Sequence, residues 1–188
     1  MVEQRKQWPQ RLAGVSANRL VFVDESGVNT QMTRRYGRSP IGQRLIGAVP
    51  HGHYQTTTLI AAVRLKGAQA PWLFGGAMNG ELFLAWVKQG LLPCLQPDDV
   101  VILDNLATHQ VAGVREAIEG AGARMEYLPP YSPDFNPIEP MWSKVKQGLK
   151  SRAPRTARQL DQAARAAFAA ITLPDCEGFF FHAGYATS

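Results

Sequence analysis

The sequence predicts an α/β domain, a mixed five-stranded sheet flanked by helices. Three observations carry this prediction. Three β-rich runs come first, joined by short glycine-containing links of the kind that closes antiparallel hairpins. An α-β-α-β-α-α succession follows, which calls for crossover connections onto the same sheet. The strand runs are short and almost wholly apolar, as strands covered on both faces are. A chain of 188 residues, 45% of them hydrophobic, is long and apolar enough for one domain with its own core.

Residues 1–18 are polar and predicted helical before Gly14, and they read as the tail of something longer. Arg19 to Val23 is a short apolar strand, which Asp24-Glu25-Ser26-Gly27 is expected to end in a turn. Residues 28–54 carry Arg34, Arg35, Arg38 and Arg44 among scattered glycines and prolines. They read as an irregular basic loop leading into a strand near 44–49. Gln55–Arg64 and Ala70–Gly75 are the next two β-rich runs, with hairpin links at Gly52 and at Lys66-Gly67.

Asn79 opens a helix to about Leu92, with Phe83, Leu84, Val87 and Leu91 on its apolar face. Asp98-Asp99 then precede Val100–Leu103, a buried strand ending in Asp104-Asn105. A helix follows from about Val111 to Glu119, closed by Gly120 and Gly122, and Met125–Leu128 form the fifth strand. A further helix spans about Ala157 to Ala170. Phe179-Phe180-Phe181 should dock on the body.

The most informative stretch lies between the fifth strand and that last pair of elements. Leu128-Pro-Pro-Tyr-Ser-Pro-Asp-Phe-Asn-Pro-Ile-Glu139-Pro-Met-Trp142 is a proline-stiffened loop running into a helix. Asn136 suits the N-cap and Pro137 the first helical position, which puts Glu139 third. The helix runs to about Lys150. Ile138, Met141, Trp142, Val145 and Leu149 form its core-facing stripe, and Glu139, Ser143, Lys146 and Lys150 lie on a different, polar face.

Three carboxylates thus stand at element ends: Asp24 after the first strand, Asp104 after the fourth, and Glu139 at a helix start. Each alone has a plainer explanation. Asp24 and Asp104 suit turns, and Asn136-x-x-Glu139 suits a capping box. Together they are more specific, because strand ends along one sheet edge are where ligands gather. Three hard oxygen ligands without a Cys or His cluster suit Mg²⁺ or Mn²⁺. Two such ions could activate a nucleophile and stabilise the leaving oxygen of a phosphodiester. Left unneutralised, the three carboxylates should repel one another and loosen Glu139.

Composition narrows the partners. The net charge of +5 and pI near 9.5 favour polyanions. Cys94 and Cys176 lack metal-ligand spacing and fit a reducing compartment. No apolar run approaches the roughly 18 residues of a membrane span, and the N-terminus lacks the apolar core of a signal peptide. His51 and His53 form a His-x-His pair without nearby Cys, a poor zinc site. No Walker loop or dinucleotide fingerprint is present. An aspartyl phosphatase would want a second acid two residues past Asp24, where Ser26 stands.

Val-Phe-Val-Asp24-Glu-Ser-Gly, Val-Ile-Leu-Asp104-Asn-Leu-Ala-Thr-His109 and the proline-rich stretch with Glu139 resemble mariner-type transposases, in particular their bacterial insertion-sequence branch within the DDE superfamily. Thirty-four residues separate Asp104 from Glu139, a spacing that group shares. The resemblance covers roughly residues 19–185. It implies an RNase H-like (retroviral integrase-like) fold, with Asp24, Asp104 and Glu139 as the catalytic, metal-binding triad for two Mg²⁺ ions, Mn²⁺ being able to substitute. It implies cutting of transposon ends and joining of the 3′-OH to target DNA, by a homodimer in a synaptic complex. It also implies a cytoplasmic, nucleoid-associated protein of bacteria. Family members usually carry N-terminal helix-turn-helix domains. Residues 1–18 are therefore expected to be the remnant of a linker helix and 19–188 the catalytic domain, with a separately encoded helix-turn-helix subunit as a partner.

Asn105 and His109 are auxiliary candidates beside the triad, each with a turn, capping or packing role as its alternative. Tyr131 and Trp142 are either core or DNA-stacking groups, with Trp142 on the core stripe. Arg34, Arg35, Arg38 and Arg44, with Lys144, Lys146, Lys150, Arg152, Arg155 and Arg158, are candidate phosphate contacts, which carry affinity but little sequence information. Two other functions fit the same residues: an RNase H-like nuclease or resolvase that only hydrolyses, and a truncated, non-enzymatic DNA-binding remnant.

Overall fold

A computed structural model of the chain describes residues 2–51, 54 and 56–185. Gly52 and His53, and so the expected hairpin link and the second histidine of the His-x-His pair, lie outside the described residues. The elements run α1 (Val2–Arg11), β1 (Leu20–Val28), β2 (Thr57–Arg64), β3 (Gly67–Gly75), α2 (Gly80–Trp86), β4 (Val100–Leu103), α3 (Val114–Gly120), β5 (Arg124–Tyr127), α4 (Ile138–Arg152), α5 (Ala157–Ala169) and α6 (Leu173–His182). The five strands form one sheet in the order β3-β2-β1-β4-β5. The β1–β2 and β2–β3 pairs are antiparallel, and β1–β4 and β4–β5 are parallel. Hairpins first and crossovers later thus give the mixed sheet the sequence predicts.

Side chains alternate across a strand, so the apolar runs feed two cores. Leu20, Phe22, Val100 and Ile102 face α4, α5 and α6, with Trp8 of α1 in the same cluster. Val21, Val23, Val101 and Leu103 face α2 and α3. Each large side chain buried this way contributes about 1.5–3 kcal/mol. The predicted stripe of α4, from Ile138 through Met141, Trp142 and Val145 to Leu149, is buried throughout. A buried ion pair pins the opposite end of the sheet from the carboxylates. Arg64 of β2 donates to both oxygens of Asp99, which is fully buried and also accepts the Gln96 N–H at 2.6 Å.

Five expectations need correction. The first strand does not end at Asp24. β2 offers an antiparallel partner as far as Val28, pairing Asp24 with Ala61 and Val28 with Thr57, so residues 24–27 are strand and not turn. No strand forms near 44–49. That segment lies exposed, its apolar residues are broken by Arg44, Gly47 and Pro50, and no sheet edge pairs with it. The helix expected from Val111 starts at Val114, because Gly113 at φ +89° is its cap and residues 107–110 form a separate 3₁₀ turn. The helix opened by Asn79 tightens and loosens: regular helix gives way to a π turn at Val87–Leu91 and a 3₁₀ turn at Leu92–Cys94. Of the three terminal phenylalanines, Phe180 is buried at the core but Phe181 is 77% exposed.

Candidate active site

Sheet register brings the first two carboxylates together. The last parallel pair between β1 and β4 is Phe22 with Ile102. Asp24 and Asp104 each stand two residues further on. Neighbouring parallel strands therefore bring them close, near enough for the Asp104 charge to act on Asp24. Period-2 alternation points both to the face covered by α4, the helix that starts with Glu139. Asp24, Asp104 and Glu139 line one cavity of about 510 Å³, together with Asn105, Leu106 and the loop from Leu128 to Asn136. A cavity of similar size, about 500 Å³, lies between α1 and residues 183–185, but its lining includes no carboxylate, histidine or cysteine.

The loop geometry removes the capping-box account of Glu139. The helix starts one residue later than expected, at Ile138 with Pro137 in the cap position and Glu139 second, while Asn136 stays extended and its Oδ1 accepts from the Ile138 N–H at 3.5 Å. A capping box needs the Glu139 carboxylate on the Asn136 N–H. That N–H instead donates to the Pro133 carbonyl at 3.1 Å. The exposed Glu139 carboxylate makes no hydrogen bond or ion pair with a described residue. It is held out at the cavity and free to serve as a ligand.

Asp24 carries the electrostatic strain of the site. Burial, then the charges of Glu25, Asp104 and Glu139, push its pKa up to about 7. The contrast with Asp99 is instructive, since that deeper carboxylate is matched by Arg64. Among the described residues, no arginine or lysine answers Asp24. Its one side-chain donor is neutral, the Trp142 indole N–H, at 3.1 Å from Oδ2.

His109 is completely buried between two acids. Its Nε2 lies 2.8 Å from Glu25 Oε2, and its Nδ1 lies 2.6 Å from Asp104 Oδ1, a close ion-pair contact poorly aligned for a hydrogen bond. Burial is the largest influence on its pKa and lowers it, but the contacts to Asp104 and Glu25 outweigh burial and leave it at about 9. The imidazolium thus answers part of the charge at Asp104. A direct contact of His109 with phosphate does not fit this burial, and its place is behind the site. Asn105 lines the cavity and is tied by Nδ2 to the Leu128 carbonyl at 3.4 Å.

Tyr131 stands at the cavity mouth, 86% exposed, with its backbone in the left-handed region at φ +54°. That conformation costs an aromatic residue on the order of 1 kcal/mol and marks a constrained loop. Trp142 is 3% exposed and therefore core, as its stripe predicts, yet its N–H also serves Asp24.

The basic candidates divide. Arg35, Arg38, Arg44 and Lys150 are exposed, and none is bonded through its side chain to a described residue. Lys146 is half-buried and likewise unbonded. Arg34 donates to Ser151 Oγ at 2.5 Å, and Lys144 is paired with Asp175. Arg155 donates to the Thr30 and Met32 carbonyls, anchoring the root of the long basic loop. Two contributors escape sequence reading. Glu25 looks like a turn residue until β1 is seen to continue through it, and Arg5 reaches the proline-rich loop across more than a hundred residues.

Among the described residues, no three His, Cys, Asp or Glu side chains are gathered tightly enough to hold one ion. The expected convergence is thus to a shared cavity and not to a closed ligand shell. Asp104 is turned to His109 and to the Leu106 N–H, Asp24 to Trp142, and like charges repel Glu139. The donor set itself, carboxylate oxygens with a net negative charge, fits a hard divalent cation.

Comparison with known proteins bears on the fold and the family. No curated protein sequence matches. Solved structures do: a Mos1 mariner paired-end complex with Mn, at 17% identity and TM-score 0.75, over 95% of this chain and 56% of that one. A Mos1 strand transfer complex matches at 18% identity and TM-score 0.73, over 96% of this chain and 58% of that one. The catalytic domain of Mos1 mariner transposase matches at 14% identity and TM-score 0.68, over 95% of this chain and 84% of that one. The chain therefore spans somewhat over half of the longer transposase chains, and at these identities what is shared is the RNase H-like fold. The family of DDE superfamily endonucleases matches residues 19–161, which carry all three carboxylates and most of the 188-residue sequence. By that match the chain belongs to the DDE superfamily endonucleases.

Proposed function

We propose that this chain is the catalytic domain of a mariner-type transposase of the bacterial insertion-sequence branch, cutting transposon-end DNA and joining the 3′-OH to target DNA. The observation that carries the reading is the shared cavity of Asp24, Asp104 and Glu139, with Glu139 left uncapped at its rim. These three residues would hold two Mg²⁺ ions, with Mn²⁺ as a substitute. Bound there, such ions supply activation of the attacking water or 3′-OH and stabilisation of the leaving oxygen.

The chain's own residues prepare the site. Trp142 fixes the orientation of Asp24, and His109, itself held by Glu25, fixes Asp104. Arg38, Arg44 and Lys150 are free to meet phosphates, and Tyr131 offers an exposed ring beside the cavity. Phosphate contacts position DNA without reading it. The reading includes a helix-turn-helix reader of the transposon ends, residues 1–18 as the linker towards it, and a homodimer that holds two DNA ends. The Mos1 structures named above include paired-end and strand transfer complexes, and they support DNA as the partner by shared fold.

The test supplies a pre-cut duplex with a free 3′-OH, a target plasmid and Mg²⁺ or Mn²⁺. Joined products that disappear in Asp24→Asn, Asp104→Asn and Glu139→Gln support strand transfer. Cleavage by water alone, without joining, would replace it with the purely hydrolytic nuclease.

A further inference from the structure

We infer that α1 is a positioning element of the active site, with Arg5 holding the loop that delivers Glu139. This inference rests on the assignment of Glu139 as a metal ligand. Arg5 donates from Nη1 to Asp134 Oδ1 at 2.9 Å and from Nη2 to Asp134 Oδ2 at 2.7 Å, a two-pronged pair. The same Nη1 reaches Ser132 Oγ at 2.8 Å and the Tyr131 carbonyl at 3.3 Å. The guanidinium also lies 4.8 Å from the centre of the Phe135 ring. One side chain thus touches four of the five residues from Tyr131 to Phe135.

A second tie runs beside the first. Trp8, one turn along α1, donates to the Tyr185 hydroxyl at 2.9 Å, and that hydroxyl donates to the Phe135 carbonyl at 2.7 Å. The loop so gripped includes Tyr131, whose left-handed backbone needs support, and it turns directly into Asn136 and α4. Glu139 is only four residues beyond Phe135, and nothing among the described residues holds its carboxylate. Its placement is therefore inherited from the loop. The Arg5 and Asp134 side chains are 35% and 56% accessible, so water screens the pair and it adds little to global stability. Planar, two-pronged geometry on an exposed pair serves placement, and only arginine provides it.

The experiment measures Mn²⁺ affinity by electron paramagnetic resonance, and the melting temperature without metal, for the full chain and its Arg5→Ala, Arg5→Lys, Asp134→Asn and Glu139→Gln variants. The inference expects Arg5→Ala to melt within about 2 °C of wild type. It should bind Mn²⁺ roughly tenfold more weakly, the smaller end of what losing an outer partner costs a metal site. Arg5→Lys should fall between the two, and Asp134→Asn in the Arg5→Ala background should add little. Wild-type Mn²⁺ affinity in Arg5→Ala, with Glu139→Gln weakened, overturns the positioning role and leaves the metal assignment standing. Loss of affinity only in step with a large drop in melting temperature makes Arg5 a structural residue and also overturns it. If Glu139→Gln itself binds Mn²⁺ as wild type does, the third ligand is wrong and the inference falls with it.

Discussion

Replacing Asp24 with Asn should stabilise the metal-free protein while removing its chemistry. The wild-type carboxyl is displaced from 3.8 to about 7, chiefly by burial and then by Glu25, Asp104 and Glu139. The sign follows from proton binding. A folded-state pKa above the unfolded value means stability that is complete below about pH 4 and lost as pH rises towards 7. The full displacement corresponds to about 4 kcal/mol. That is an upper limit, because the cavity is open to water and some of the repulsion relaxes. A gain of about 1–2 kcal/mol is expected, or about 2–8 °C in melting temperature for a chain of this size. Asn keeps an oxygen for the Trp142 N–H, so that contact survives the change. The assay is thermal unfolding in EDTA at pH 8 and again near pH 4.5. The variant should melt higher at pH 8, and most of its advantage should vanish in acid, where wild-type Asp24 is neutral as well. Millimolar Mg²⁺ should then raise the wild-type protein and not the variant. An Asn variant no more stable than wild type at pH 8, or equally favoured at both pH values, would refute the claim that Asp24 is an unneutralised charge.

Glu139→Gln should abolish cleavage without lowering the melting temperature, since its carboxylate caps nothing; activity at the wild-type rate would move the third ligand elsewhere. Arg64→Ala should cost about 3–5 kcal/mol in urea unfolding by stranding buried Asp99, and a loss below 1 kcal/mol would contradict the burial of that pair. Asp175 is held down to about 2, first by Lys144 and then by Thr172. Its contribution should therefore be full above about pH 4 and lost as pH falls through 2; the stability difference between wild type and Asp175→Ala should shrink across that window. The chain alone should bind DNA weakly and with little sequence preference. Arg38→Ala and Arg44→Ala should each reduce the salt dependence of binding by about one released counterion, and tight sequence-specific binding by residues 1–188 would contradict the proposal that these residues contact DNA mainly through phosphates.

Much of this was legible in the residues because local and global signals coincide. The apolar runs at 20–23 and 100–103, each followed by an acid, announce two strands, and their parallel pairing brings those acids to the same part of the sheet. The stripe from Ile138 to Leu149 is unambiguous because all its members are large and apolar. What could not be read is decided by long-range partners. Whether Asp24 ends its strand depends on β2, more than thirty residues away, which continues the pairing to Val28. The apolar residues of 44–49 suggest a strand, but a strand needs an edge to join, and β3 and β5 bound the sheet without it. The spacing Asn136-x-x-Glu139 permits a capping box, and only the Pro133 carbonyl, taking the Asn136 N–H, removes it. Glu25 and Arg5 carry no local signal at all, since their partners His109 and Asp134 lie 84 and 129 residues further along the chain.

The central claim is that Asp24, Asp104 and Glu139 form one divalent-cation site for phosphodiester chemistry. Crystals of the chain grown with MnCl₂ and measured near the manganese absorption edge test it most directly. The expected result is an anomalous peak in the cavity within about 2.2 Å of Asp24 and Asp104 oxygens, with Glu139 drawn in as a third ligand and the peak absent in Asp104→Asn. A saturated crystal with no manganese between these carboxylates, or with manganese held only by other residues, would contradict it.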